Sequence, residues 1–356
     1  MIIRKLAYID ALRGLAILAV MLVHCGYAGS PLFIPATVSN IVRQGAFGVQ
    51  LFFVASAFTL FLSFEARSIT DKHRALYFFI RRFFRIAPMY YIAMLYYHFQ
   101  NSSNVHTQDV VANLFFVHGL NPNWIATMVP GGWTTSVEMI FYCFVPLLYA
   151  KIKSLKQAYN FALICLVIRI IANTLLRHYP LVNDSNVWNE FLYYYFINQL
   201  PIFALGIVLF FLVKERGHID NYPRIIATAT ALMFVQLCAS PNTVFPAEFL
   251  FGVAFVILAL FLSRFNVLLL LNPVVTNIGK VSYSMYLTHF AVLYWFEKLN
   301  IISLLNVTGA FTAIVNLIVR FVMVALVSFM VSSLFYRIIE LPLQAVGKRL
   351  ITFLNR

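Results

Sequence analysis

Apolar runs of about twenty residues recur along the chain, separated by short polar connections. At ~1.5 Å rise per residue, a run of that length crosses the ~30 Å hydrocarbon core of a bilayer. The pattern predicts helices near 8–28, 45–64, 76–98, 134–150, 158–176, 191–213, 224–240, 247–263, 279–297 and 309–336. The expected fold is all-α: a polytopic membrane helical bundle of about ten transmembrane helices.

Taken alternately, the connections divide the basic residues unevenly. One side collects Arg4, Lys5, Arg67, Lys72, Arg74, Arg81, Arg82, Arg85, Lys151, Lys153, Lys156, Lys214, Arg216, Arg224, Arg264, Lys280, Arg337, Lys348, Arg349 and Arg356; the other collects Arg43, Arg177 and Lys298. The positive-inside rule then predicts both termini in the cytoplasm and a multi-pass protein of the cell inner membrane. The longest outer connection, about 100–132, holds an apolar stretch from Val110 to Val117 that suits the membrane surface or a re-entrant turn.

The 356 residues are 62% hydrophobic and 11% charged, too little polar surface to cover a soluble globule. The net charge of +14 is spread in short clusters between the apolar runs, so membrane lipid, and not nucleic acid, is the expected partner. Cys25, Cys143, Cys165 and Cys238 all fall in apolar runs with no CxxC spacing, which indicates neither a disulfide framework nor a metal site. The first run carries internal Asp and Arg with no small-residue cleavage pattern after it, so it reads as a retained helix. No repeat or low-complexity tract is visible, and one integral domain over 1–356 without a soluble appendix is expected.

Candidate chemistry starts in that first run. YIDALRGLAILAVMLVHCGY, Tyr8 to Tyr27, carries Asp10, Arg13 and His24. The steps from Arg13 to His24 return to within about 20° of one helical face, at ~100° per residue. Ionisable groups in a spanning helix are costly and mark functional paths, unless Arg13 snorkels and His24 lies in the far interface. Arg82 and Arg85 in RRFFRIAP share a face at i, i+3, a spacing at which guanidinium forks suit phosphate, or anchor the helix at anionic head groups. Glu138 in GGWTTSVEMIFY lies near the outer end of its helix, with Tyr142 at i+4. It either shares the depth of His24 and meets it, or sits in solvent at the helix end.

In GKVSYSMYLTHF, Ser282, Tyr286 and His289 form a polar stripe that serves a site or hydrogen-bonds packed helices together. Arg169 and Arg320 have no partner near them in sequence and no assigned role. No GxSxG, HExxH, P-loop or GxGxxG appears in its proper context. A histidine base, a carboxylate and a phosphate-gripping Arg pair are what acyl transfer from a nucleotide thioester to an alcohol needs.

These pieces, in order, resemble the acyltransferase-3 family of bacterial multispanning membrane acyltransferases that decorate extracytoplasmic glycans. DALRGLAILAVMLVH, FFVASAF (Phe52 to Phe58), RRFFRIAP, WTTSVEMIFY, VSYSMYLTH and YRIIELP (Tyr336 to Pro342) carry the likeness, over about 8–347. The resemblance implies an acyl-CoA donor, by family default acetyl-CoA, held by Arg82 and Arg85. It implies a surface or lipid-linked glycan hydroxyl as acceptor, His24 as general base, Arg13 supporting the thioester or the active conformation, and Glu138 orienting or pairing His24. Trp133, Tyr142, Ser282, Tyr286 and His289 form the expected substrate-facing set, and no metal is expected.

The chain departs from the family pattern in two places. Ala57 stands where Gly is usual, which bears on close helix packing, and Met139 and Ile140 follow Glu138 where Glu and Gln are common. The hydrolase-like domain fused to some members is not expected here. A transporter or flippase of a lipid-linked sugar is the alternative, since a ten-helix bundle with buried charge also fits translocation. A surface sensor or scaffold would not ask for His and Arg on one buried face.

Overall fold

The computed structural model describes residues 6–29, 33–67, 71–100, 105–215 and 245–355. Among these there is no strand. The helices are α1 (Ala7–Tyr27), α2 (Ala36–Arg43), α3 (Gly48–Ala66), α4 (Arg74–Gln100), α5 (Thr107–Leu114), α6 (Trp133–Lys151) and α7 (Leu155–His178). They continue with α8 (Ser185–Tyr194), α9 (Phe196–Lys214), α10 (Ala247–Arg264), α11 (Pro273–Lys280), α12 (Ser282–Lys298), α13 (Ala310–Phe335) and α14 (Leu341–Leu354). The expected helix at 224–240 lies outside the described residues.

Six helical runs among the described residues are long and apolar enough to cross a membrane: Ala7–Tyr27, Ala36–Ala66, Leu155–His178, Ser185–Lys214, Ala247–Arg264 and Ala310–Leu354. The helices expected at 76–98, 134–150 and 279–297 are present as α4, α6 and α12 but do not meet that measure. Arg81, Arg82 and Arg85 lie within α4, and α12 is 17 residues long.

The described chain forms two compact units, each discontinuous in sequence: one of 6–29, 33–52 and 245–336, the other of 53–67, 71–100, 105–215 and 337–355. In the first unit α1 is buried on nearly all sides, with Ala11, Leu12, Ala16, Ile17, Met21 and Cys25 fully enclosed. Such burial places α1 in the interior of its unit, with Asp10, Arg13 and His24 left partly exposed. Close approach is possible because α1 and α11 cross glycine to backbone: Gly14 meets the Val275 carbonyl and Gly279 meets the Asp10 carbonyl, where a Cβ on either has no room.

The helix expected at 279–297 is α12, Ser282–Lys298, and a short helix that was not expected, α11, precedes it from Pro273 and ends at Val281. Asn272 caps α11 by accepting from the Val275 N–H at 3.0 Å, and Pro273 at the first helical position suits its φ.

In the second unit α7 and α9 pack along their lengths, and Pro201 to Phe211 of α9 is buried throughout. The outer face of α7 leaves Leu163, Ile164, Val167, Ile170 and Ile171 exposed, the apolar face that a bilayer solvates. Phe203 stacks on both Phe53 and Phe141, at 4.5 and 4.2 Å. Ala57, the departure from glycine, packs fully buried against Gly206: a Cβ on Gly206 would stand 2.7 Å from that of Ala57. Close packing of α3 on α9 is kept by placing the glycine on the partner helix.

The run expected at 191–213 is two helices, broken by extended backbone at Tyr195, with α8 capped by the Asp184 carboxylate on the Asn186 N–H at 2.8 Å. The segments α2 and α14 were not expected. A π-turn over Tyr336–Glu340 joins α13 to α14, whose C-terminal end is tied to α4 by Tyr77 Oη donating to Leu354 O at 3.1 Å and Lys72 Nζ to Asn355 O at 2.8 Å.

Candidate active site

The expected site residues fall into two clusters, one in each unit. His24 lies in the last turn of α1, partly exposed, and Arg13 is partly exposed three turns earlier on the same face. The ring of His24 packs on Phe290 at 4.3 Å and lies 5.4 Å from that of His289. His289 is fully buried in α12, with Tyr286 at 5.8 Å, and Phe52 stands edge-on to Tyr286 at 6.2 Å. The polar stripe on α12 thus meets α1 through His289. Ser282, buried at the start of α12, lies ~10 Å further along the helix axis at ~1.5 Å per residue.

Arg320, which had no assigned role, closes this cluster. From α13 its Nη1 donates to the carbonyls of Cys25 (2.6 Å) and Ala28, and its Nε donates to Ile302 O at 2.7 Å. Carbonyls at a helix C-terminus have no partner within the helix and carry the negative end of its dipole, so a buried guanidinium satisfies both needs. The side chain thereby holds the turn that carries His24.

The second cluster gathers Arg82, Arg85, Glu138 and Tyr142. Arg82 turns inward, its guanidinium 5.5 Å from the Phe78 ring and 5.9 Å from the Tyr142 ring, a cation–π arrangement. Arg81, one residue earlier, is instead paired with Asp71 at 2.5 Å. Glu138, Arg82 and Arg85 all act electrostatically on the buried Tyr142 hydroxyl. Glu138 also accepts a hydrogen bond from Ser56 of FFVASAF. Ser56 was part of a recognised motif but not a candidate; its sign was a small hydroxyl in a run otherwise apolar.

Glu138 and His24, expected to be at similar depth, belong to different units. Trp133 is buried and stacks on Tyr194 at 4.4 Å with Phe53 edge-on at 6.0 Å, so one of its faces is covered by protein. Arg169 bonds Asn198 Oδ1 at 2.7 Å across α7 and α9 and takes no part in either cluster. Among the described residues no three His, Cys, Asp or Glu side chains gather as metal ligands would.

The connection between α4 and α6 folds on a buried polar network. Tyr90 Oη donates to Asn113 Oδ1 at 2.7 Å, and His118 Nε2 lies 3.1 Å from Gly132 O and 3.3 Å from Tyr90 Oη. Burial pushes the His118 imidazole down to about 4, with hydrogen bonds to backbone carbonyls opposing the shift. Beside this network Val111, Leu114, Phe115 and Val117 are exposed, so the connection carries an apolar face.

With these clusters placed, comparison with known proteins is decisive: the family model described as an acyltransferase domain matches residues 6–337. The chain belongs to the acyltransferase-3 family. It is thus a multi-pass membrane protein, in keeping with its apolar helical runs. Among curated relatives it is 24% identical over 332 residues to "Putative O-acetyltransferase SACOL0978" of Staphylococcus aureus strain COL, covering 82% of this chain and 51% of that protein. "Putative O-acetyltransferase SAS0844" of strain MSSA476 and "Putative O-acetyltransferase SAR0937" of strain MRSA252 match with the same identity and coverage. The chain spans about half the length of these relatives. No solved structure gives a significant match.

Proposed function

We propose that this acyltransferase-3 protein is an O-acetyltransferase of the inner membrane, with about ten spans and cytoplasmic termini, that moves an acetyl group from acetyl-CoA to a hydroxyl of a surface or lipid-linked glycan. The names of its relatives support the acetyl choice. The observation that carries the reading is the polar face of α1, where His24 stands partly exposed against the buried His289 in an otherwise apolar helix.

In this reading the acceptor oxygen attacks the thioester carbonyl while His24 takes the hydroxyl proton. The C–S bond then breaks, and His24 returns the proton to the departing CoA sulfur. Arg82 and Arg85 hold the CoA phosphates, for which the inward turn of Arg82 and the diversion of Arg81 to Asp71 are the supports. Arg13 steadies the thioester, and Glu138, held by Ser56, sets the charge beside Arg82 and Tyr142. Ser282 and Tyr286 in the unit of His24, and Trp133 and Tyr142 in the unit of Arg82, face the substrates.

The test is glycan O-acetyl content in cells whose membranes hold matched amounts of each variant. His24→Gln keeps hydrogen bonding but loses the base, so transfer should fall on the order of 100- to 10,000-fold. Near-normal acetylation by a well-inserted His24→Gln protein removes His24 as base.

A further inference from the structure

His289 carries a buried atom that neither packing nor the reading above uses. Its Nδ1 lies 3.1 Å from the carbonyl oxygen of Met285, one turn earlier on α12. A carbonyl only accepts, so Nδ1 holds the hydrogen and, in the neutral ring, Nε2 is left with a lone pair. That Nε2 is fully buried and meets no hydrogen-bonding partner among the described residues. A buried acceptor left unsatisfied is costly, so the site calls for a donor.

The donor at hand is His24. The two rings lie 5.4 Å apart and are not hydrogen-bonded in this structure, but with ring nitrogens ~1.1 Å from each centroid a turn of the His24 ring that faced its nitrogen to Nε2 would bring the two to about 3.2 Å, which is hydrogen-bond range. The rings are tilted by 40°, and Phe290 at 4.3 Å from His24 and Tyr286 at 5.8 Å from His289 flank the pair with aromatic surface. An imidazole that serves as a base needs its second nitrogen protonated and held, the task that a carboxylate performs in Ser-His-Asp triads.

We propose that His289 is the positioning residue for His24, accepting its N–H on Nε2 and so fixing the tautomer that presents a lone pair to the acceptor hydroxyl. This rests on His24 being the base. His24 then carries an extra proton only during transfer, when its N–H bond to His289 becomes charge-assisted and strengthens. No net proton passes to His289: the proton taken from the hydroxyl leaves with the CoA thiol.

The test uses the full chain in detergent with ¹⁵N-labelled histidine, together with acetyl-CoA binding and cellular O-acetyl content at matched membrane levels. His289→Phe fills the volume without an acceptor, whereas His289→Gln keeps both an amide donor for Met285 O and an acceptor oxygen. Expected are one His24 tautomer in the wild type and in His289→Gln, and a mixture in His289→Phe. O-acetylation should fall about 10- to 100-fold in His289→Phe, less than on loss of the base itself, and stay within about threefold in His289→Gln, with unchanged acetyl-CoA affinity in both. An unchanged His24 tautomer in His289→Phe overturns this inference, whether the two variants stay active or lose activity equally. Near-normal acetylation by His24→Gln instead sinks the base reading, so the two failures are distinguishable.

Discussion

Arg320 of α13 donates to the carbonyl of Cys25 at 2.6 Å, one residue beyond His24 on α1. A buried charge on one helix thus stitches the last turn of another, and the turn that carries the candidate base is held by a residue that need not touch any substrate.

Arg320→Leu should therefore unfold more easily, because the buried carbonyl of Cys25 loses its donor at a cost of about 1–3 kcal/mol, and the half-buried carbonyls of Ala28 and Ile302 lose theirs as well. Thermal unfolding in detergent, followed by tryptophan fluorescence, should show a midpoint several degrees lower. Arg320→Lys, with three donors on a single point, should recover part of the loss. A leucine variant melting with the wild type would show the carbonyls to be satisfied another way.

The three arginines of RRFFRIAP should separate by function. Arg82→Ala or Arg85→Ala is expected to weaken acetyl-CoA binding roughly 10- to 100-fold, the equivalent of about 1.5–3 kcal/mol for a charge-assisted contact. Arg81→Ala, which loses only the pair with Asp71, should bind acetyl-CoA nearly as the wild type does. Calorimetric titration of purified protein decides it: equal affinities for all three variants would make the cluster a membrane anchor alone.

Stability should fall in mild acid through His118. Its imidazole is held at about 4 by burial, against about 6.5 in the unfolded chain, so between those values the unfolded state binds a proton that the folded state refuses. The stability it permits is full above pH 6.5 and declines as pH drops towards 4. Unfolding midpoints measured across that window should fall less steeply in His118→Gln than in the wild type, and parallel curves would count against a neutral, buried His118.

The division of basic residues predicts a cytoplasmic C-terminus and an outer 100–132 connection. Alkaline phosphatase fused after Arg356 should be inactive, while a fusion placed in 105–131 should be active. Phosphatase activity at the C-terminus would reverse the assignment.

The sequence by itself determined the helical class, the approximate places of nine of the helices, and the shared face of Arg13 and His24. Each follows from local backbone geometry: a twenty-residue apolar run and a fixed rotation per residue carry that information without reference to the rest of the chain. It also set Arg82, Arg85, Glu138 and Tyr142 apart as candidates, because charge and hydroxyl within apolar runs are visible one residue at a time. The tertiary structure alone decided which of these meet. The breaks at Tyr195 and Val281 are matters of backbone and packing: the chain is extended at Tyr195, and just before Val281 Gly279 meets the Asp10 carbonyl. The approach of the His24 ring to that of His289, the bond from Ser56 to Glu138, and the bonds of Arg320 to the end of α1 join residues far apart in the chain. Such partners are chosen by how helices cross, and crossing depends on small-residue contacts such as Gly279 on Asp10 that leave no periodic trace in the sequence.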